Sequence, residues 1–216
     1  MRADDSRELL AGYVSGPAAA IEATMAALPR AATARAVVLV EGVSDQIAVE
    51  TLAARHGRDL TAEGVVVLPA GGVHGMTRYL RLFGPEGTGA RLAGLCDAAE
   101  EHIVRRGLAA AGLGAPGSRA DLERLGFAVC VEDLEDELIR AAGTALAVQV
   151  LDAHGDLAAF RIIQRQPAWR GKDEAAQLRR FLGAGSRRKL RYARLLTEAI
   201  DRDRMPHPLE AVLAAV

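Results

Sequence analysis

The chain alternates between short runs that are apolar at every position and longer runs that are apolar on one side only. "AVVLVE" at 36–41, "GVVVLPAGG" at 64–72, "RLAGLCD" at 91–97 and "GFAVCVED" at 126–133 show no in–out alternation. Strands of that kind are covered on both faces, which places them in a parallel sheet between helical layers. Between them, "SDQIAVETLAARHG" at 44–57 sets Ile47, Leu52 and Ala53 at helical spacing, 73–83 reads as a short helix, and 134–142 as another. Strand–helix repetition of this length builds right-handed βαβ units. At the start, residues 6–28 read as helical, with Leu9, Leu10, Tyr13 and Val14 on one side. Gly16-Pro17 divides that stretch into two helices, and Pro29 opens a linker. Beyond about residue 150 helical patterning takes over, at 157–165, 173–182, 187–201 and 206–215. The expected organisation is a helical segment at 1–34, a three-layer α/β/α domain with a short parallel sheet at 35–148, and a basic helical extension at 149–216.

In open parallel sheets, ligands bind beyond the carboxyl ends of the strands. Here the first strand runs into Glu41, the second into the turn Pro69-Ala70-Gly71-Gly72, the third into Asp97 with Glu100 and Glu101 close behind, and the fourth into Glu132-Asp133. A single acid after a strand is an ordinary helix cap. Several gathered in one crevice repel one another unless a proton or a cation neutralises them. Hard oxygen donors suit Mg²⁺ or Mn²⁺, and such an ion implies phosphoryl or nucleotidyl transfer, including hydrolysis.

The formal net charge is −1, but it is unevenly spread. Between Leu157 and Arg194 there are eleven basic residues and two acidic ones; between Asp97 and Glu137 there are ten acidic and four basic. An acidic site beside a phosphate-binding surface fits that asymmetry, as do solvated helix faces. Cys96 and Cys130 lie inside apolar runs without CxxC spacing, so they read as reduced core thiols. No apolar run approaches the roughly 20 residues of a membrane span. The charged N-terminus lacks a signal-peptide core. A cytoplasmic protein is expected.

Three of these stretches, "VVLVEGVSD", "VVVLPAGG" and "LAGLCDAAEE", together resemble a Toprim domain, most closely the kind found in OLD-family nucleases. The resemblance covers about residues 35–142 and, more loosely, 180–200. It implies a glutamate after the first strand acting as general acid or base, matched by Glu41. It implies a second acid four residues on, matched by Asp45, and a D-x-D pair that holds Mg²⁺, matched at its first position by Asp97. The second aspartate should fall at 99, where this chain has Ala99; Glu100, one residue on, is the substitute ligand. "VEDLEDELI" resembles the acidic segment after the last shared strand, so that Glu132 or Asp136 would hold a second ion. "SRRKLRYARLL" resembles the family's basic C-terminal helix, making Lys189 the phosphate- or transition-state-contacting lysine.

Other residues complete the reading. Arg165, Arg170 and Lys172 flank Trp169, which stacks a base or plugs the junction of the C-terminal helices. Arg187, Arg188 and Arg191 lie at helical neighbour spacing and are assigned to phosphate contact. His74, in the glycine turn, and His102, after the acids, need no role. The implied function is a Mg²⁺- or Mn²⁺-dependent Toprim nuclease acting on nucleic-acid phosphodiesters, DNA being favoured over RNA. The alternative is a non-catalytic Toprim module with a weakened metal site that binds nucleic acid or a partner protein. No GxxxxGK[ST] loop is present, so ATP binding is not expected of this chain. A separately encoded ATPase partner and a homodimer are both compatible with the reading, and no membrane association is expected.

Overall fold

The computed structural model describes residues 9–16 and 18–216. Four strands, β1 (Ala36–Val40), β2 (Val65–Pro69), β3 (Arg91–Asp97) and β4 (Phe127–Cys130), form one sheet in the order β2-β1-β3-β4. All three pairings are parallel. Every residue of β1 and β2 is buried, as expected of strands sandwiched between two helical layers.

The two faces bury separate clusters. Val37 and Leu39 of β1, with Leu68, Leu92 and Phe127, meet α1 (Ala19–Ala31), α3 (Val73–Phe83), α4 (Glu101–Ala110) and the short α5 (Arg119–Arg124). Val38 and Val40, with Val67, Leu95 and Ala128, meet α2 (Val43–Arg55) and α6 (Leu134–Ala153). That second cluster also takes in Phe160 of α7 (Leu157–Arg165), Phe181 of α8 (Glu174–Gly183), Tyr192 of α9 (Ser186–Ala199) and Leu209 of α10 (His207–Ala214). The C-terminal helices therefore form the outer layer over one sheet face. Helix α2 covers one face on the way from β1 to β2, and α3 the other on the way back to β3, as right-handed crossovers in opposite directions require.

Connectivity creates a switch point. The chain leaves β1 toward β2 on one side and leaves β3 toward β4 on the other. Between those diverging exits the carboxyl ends of β1 and β3 open a crevice, the usual ligand position in such a sheet. The glycine turn after β2 is anchored to this edge: the Ala70 N–H donates to Val40 O (2.8 Å) and the Gly72 N–H to Glu41 O (2.9 Å).

Several local expectations need correction. β4 stops at Cys130, so Glu132-Asp133 does not end a strand; Asp133 caps α6, accepting the Asp136 N–H at 2.8 Å. Helix α1 runs through Pro29 to Ala31. The missing proline N–H would have served Met25, whose side chain lies in solvent at 62 % exposure, so the loss falls on the wet side of the last turn. Of the first expected helix, residues 6–8 lie outside the described residues; Leu9 is helical and is followed by a turn in which the Tyr13 N–H donates to Leu10 O. Helices α4 and α5, between β3 and β4, were not evident from periodicity. Helix α6 extends beyond 142 to Ala153, with a break at Gly143 (φ 73°, ψ 156°). Among the described residues no helix is long and apolar enough to cross a membrane.

Candidate metal centre

Glu41 follows β1 and Asp97 ends β3, so the strand order alone makes them neighbours. The Asp97 N–H donates to Glu41 Oε1 at 3.1 Å. After Asp97 the chain turns at once: the Ala98 N–H donates to Cys130 O and the Glu100 N–H to Asp97 O (3.0 Å). That turn carries Glu100 back over the crevice and leaves Ala99 exposed. One carboxylate oxygen from each of Glu41, Asp97 and Glu100 lies within 4.8 Å of the other two. All three residues are half-buried.

Three carboxylates in such a space cannot all be charged without a counter-charge. Burial and then a hydrogen bond shared with Glu100 push Glu41 up to about 8. Burial first, then the charges of Asp45, Asp133 and Glu100, push Asp97 up to about 7, with Lys189 opposing. Glu100 Oε2 is buried without a hydrogen-bond donor. Such an oxygen requires either a proton on its neighbour or a cation. A hard-oxygen donor set with this geometry and an orphaned oxygen fits a small divalent ion such as Mg²⁺ or Mn²⁺.

The other expected ligands are placed differently. Asp45, in the first turn of α2, accepts the Gly42 N–H at 2.8 Å and so caps its own helix. Burial raises it, while Lys189 and the Gly42 N–H oppose. It acts on Asp97 through its charge rather than by joining the three-carboxylate cluster. Glu132 faces Arg179 at 3.5 Å, and Asp136 faces Arg140 at 3.2 Å. Arg179 also clasps Asp133 (2.8 Å). Lys189 reaches Glu135 at 3.2 Å; burial opposes its charge, but Glu135, Asp45 and Asp133 raise it on balance. Sequence reasoning placed Asp133 at a strand end and assigned neither it nor Glu135 to the site. Glu135 is buried, with Oε1 lacking a hydrogen-bond partner. Its pairing with a lysine some fifty residues away leaves no local sequence signal. A second group of carboxylates, Asp45, Asp133 and Glu135 around Lys189, thus adjoins the first.

Among the basic candidates, Arg165, Arg170, Lys172 and Arg187 are exposed. Arg188 donates to Phe181 O and Ala184 O and lies 4.1 Å from the centre of the Phe181 ring. Arg191 is paired with Asp156 and bonded to the Tyr192 hydroxyl (3.0 Å). Both therefore hold the C-terminal helices together. Trp169 is half-buried, and its carbonyl accepts from Gln177 Nε2 at 2.9 Å. Glu101 is closed off from the cluster by Arg105 and by Arg119 (2.8 Å). Cys96 and Cys130 are free, buried thiols, and burial pushes Cys96 up to about 12 and raises Cys130 as well.

Comparison with known proteins agrees with this architecture. Residues 33–98 match the family model described as Overcoming lysogenization defect protein-like, TOPRIM domain. The C-terminal region of the Xanthomonas campestris pv. campestris OLD protein superposes with a TM-score of 0.63 at 25% sequence identity, covering 85% of this chain and 92% of that one. The C-terminal region of the Burkholderia pseudomallei OLD protein shares the fold, with a TM-score of 0.62 at 21% identity, covering 84% of this chain and 96% of that one. No curated protein sequence matches.

Proposed function

We propose that this chain, which carries an OLD-like Toprim domain, is a divalent-metal-dependent nuclease module that hydrolyses nucleic-acid phosphodiesters. The observation that carries the reading is the convergence of Glu41, Asp97 and Glu100 at the switch point of the sheet. Those three residues would hold Mg²⁺ or Mn²⁺, and a bound ion of this kind supplies charge neutralisation at a phosphoryl oxygen and a more acidic water.

The chain's own groups supply the rest. Glu41, raised to about 8, retains a proton near neutral pH until the cluster's charge is compensated. Once an ion compensates the cluster that proton is released, and the Glu41 carboxylate is then placed to accept a proton from the attacking water. Asp97 stands opposite it, its N–H fixing the Glu41 carboxylate in place. Lys189, held between Glu135 and the charge of Asp45, presents a cation beside the crevice and is the proposed contact to a phosphate. Asp45 and Asp133 orient this second group, and Glu132 and Asp136 stand at its outer edge. Arg165, Arg170, Lys172 and Arg187 are proposed as outlying phosphate contacts.

The test is conversion of supercoiled DNA to nicked and linear forms with Mg²⁺ and Mn²⁺, beside Glu41→Gln and Asp97→Asn. Each substitution is expected to lower the rate by about 10²–10⁴-fold, the range for loss of a general acid or base. Activity unchanged by both substitutions refutes the assignment. Absence of cleavage with either ion replaces the enzyme by a binding module.

A further inference from the structure

A cleft of about 840 Å³ lies between α3 and α4, outside the carboxylate cluster. One wall carries His74, Arg78 and Arg81, spaced i, i+4 and i+7 along α3; the other carries Ile103 and Arg106 of α4. The helices touch beneath it at Gly107, where an added Cβ would stand 2.8 Å from Thr77 Cγ2. That close approach makes the floor, and the longer side chains on either side make the walls. Arg78, Arg81 and Arg106 are exposed and form no ion pair among the described residues. Glu86 is the sole acidic residue of the lining.

This surface is not apparent from charge along the chain. Within the basic C-terminal stretch, Arg179, Lys189, Arg191 and Arg194 each face a carboxylate, while Arg165, Arg170, Lys172 and Arg187 are spread over exposed positions. The uncompensated cations of α3 and α4 instead share one cleft, and both helices begin at the metal centre. Helix α3 starts directly after the turn whose Gly72 N–H bonds to Glu41 O, and α4 starts directly after Glu100. The cleft therefore runs outward from the carboxylates along two helices.

We propose that the α3–α4 cleft is a binding track for a single nucleic-acid strand, its phosphates held by Arg78, Arg81 and Arg106, leading to the carboxylate site. The inference rests on the nuclease reading above and extends it to how substrate is delivered. Charge complementarity names a polyanion: Arg78 and Arg81 stand about 4.5 Å apart along α3 and Arg106 faces them from α4, a cluster of cations suited to phosphates. The cleft's volume, in the range of a small-ligand site, gives room for a single strand. The apolar floor and Ile103 offer a surface for bases.

Fluorescence anisotropy of a labelled oligothymidylate, with Ca²⁺ to prevent cleavage and across a salt series, tests it. In the triple variant Arg78→Ala, Arg81→Ala, Arg106→Ala, affinity should fall about tenfold or more near 0.1 M salt, and the log–log salt slope should shrink by about 2. Glu86→Gln, which removes the one opposing charge, should tighten binding. If the triple variant keeps its folded circular dichroism spectrum and binds with unchanged affinity and slope while the wild type cleaves, the track is overturned and the nuclease reading stands. A wild-type protein that nicks supercoiled DNA but binds no single strand overturns the track alone; one that does neither overturns both. Thymidine monophosphate displacing the strand at equal concentration overturns the track in favour of a nucleotide site.

Discussion

At the scale of single residues, the protein's chemistry is a problem of charge. Glu41 and Asp97 are both held above the ordinary carboxylate range, by burial and by one another's neighbours. In the unfolded chain these groups titrate near pH 4. Between that value and about 8 the folded state therefore binds more protons than the unfolded one, and stability must decline as pH rises. Without divalent ions, thermal melts from pH 5 to pH 9 should show Tm falling most steeply between about 5 and 7, where both groups are protonated only in the folded state, and levelling off above about 8. With Mn²⁺ present the fall should be relieved. A Tm that rises over that window without metal would show that the carboxylates are compensated by protein groups. The sequence revealed Glu41 and Asp97 because each sits where a strand ends. It named Glu100 only as a substitute, and the turn through Asp97–Glu100 explains why the residue after Ala99 arrives at the cluster. The opposing pair Lys189–Glu135 was half legible: the lysine stood out in a basic run, whereas its partner looked like any surface acid of a helix.

At the scale of elements, the site depends on β3 lying tight against both neighbours. Gly94 makes that spacing feasible. A Cβ there would stand 2.6 Å from Phe127 Cε1 and 2.9 Å from Leu39 O, one a packed ring and the other backbone. Gly94→Ala should destabilise the protein by about 1–3 kcal/mol through overpacking, measured by urea denaturation. A neutral result would mean that β1 and β4 can move apart at no cost, and with them Glu41 and Asp97. The strands themselves were plain in the sequence because each is apolar throughout. The exception is the end of β4. "VED" continues the apolar run by only one residue, and the Asp133 side chain satisfies a helix N-terminus more readily than Glu132-Asp133 could extend a ladder. Helices α4 and α5 escaped notice because glycine and short polar stretches interrupt their apolar spacing.

At the scale of the whole molecule, the division into a sheet domain and a helical extension is blurred by packing. Val38, Val40 and Leu95 of the sheet share one apolar cluster with Tyr192, Leu196, Leu209 and Val212 of the C-terminal helices. Patterning along the chain marks where helices begin but not which surface they cover, so this unity was invisible there. Scanning calorimetry should give a single cooperative transition; two separated transitions would restore an independent extension. The same view makes a cation at the crevice a tie between the β1 exit, the β3 exit and the start of α4. The most direct measurement is therefore calorimetric titration of Mn²⁺ at pH 7.5 in buffers of different ionisation enthalpy. The wild type should bind the ion with release of protons, and Glu41→Gln and Asp97→Asn should each weaken binding about tenfold or more. Absent binding, or binding of equal strength in all three proteins, would contradict a metal centre at Glu41, Asp97 and Glu100.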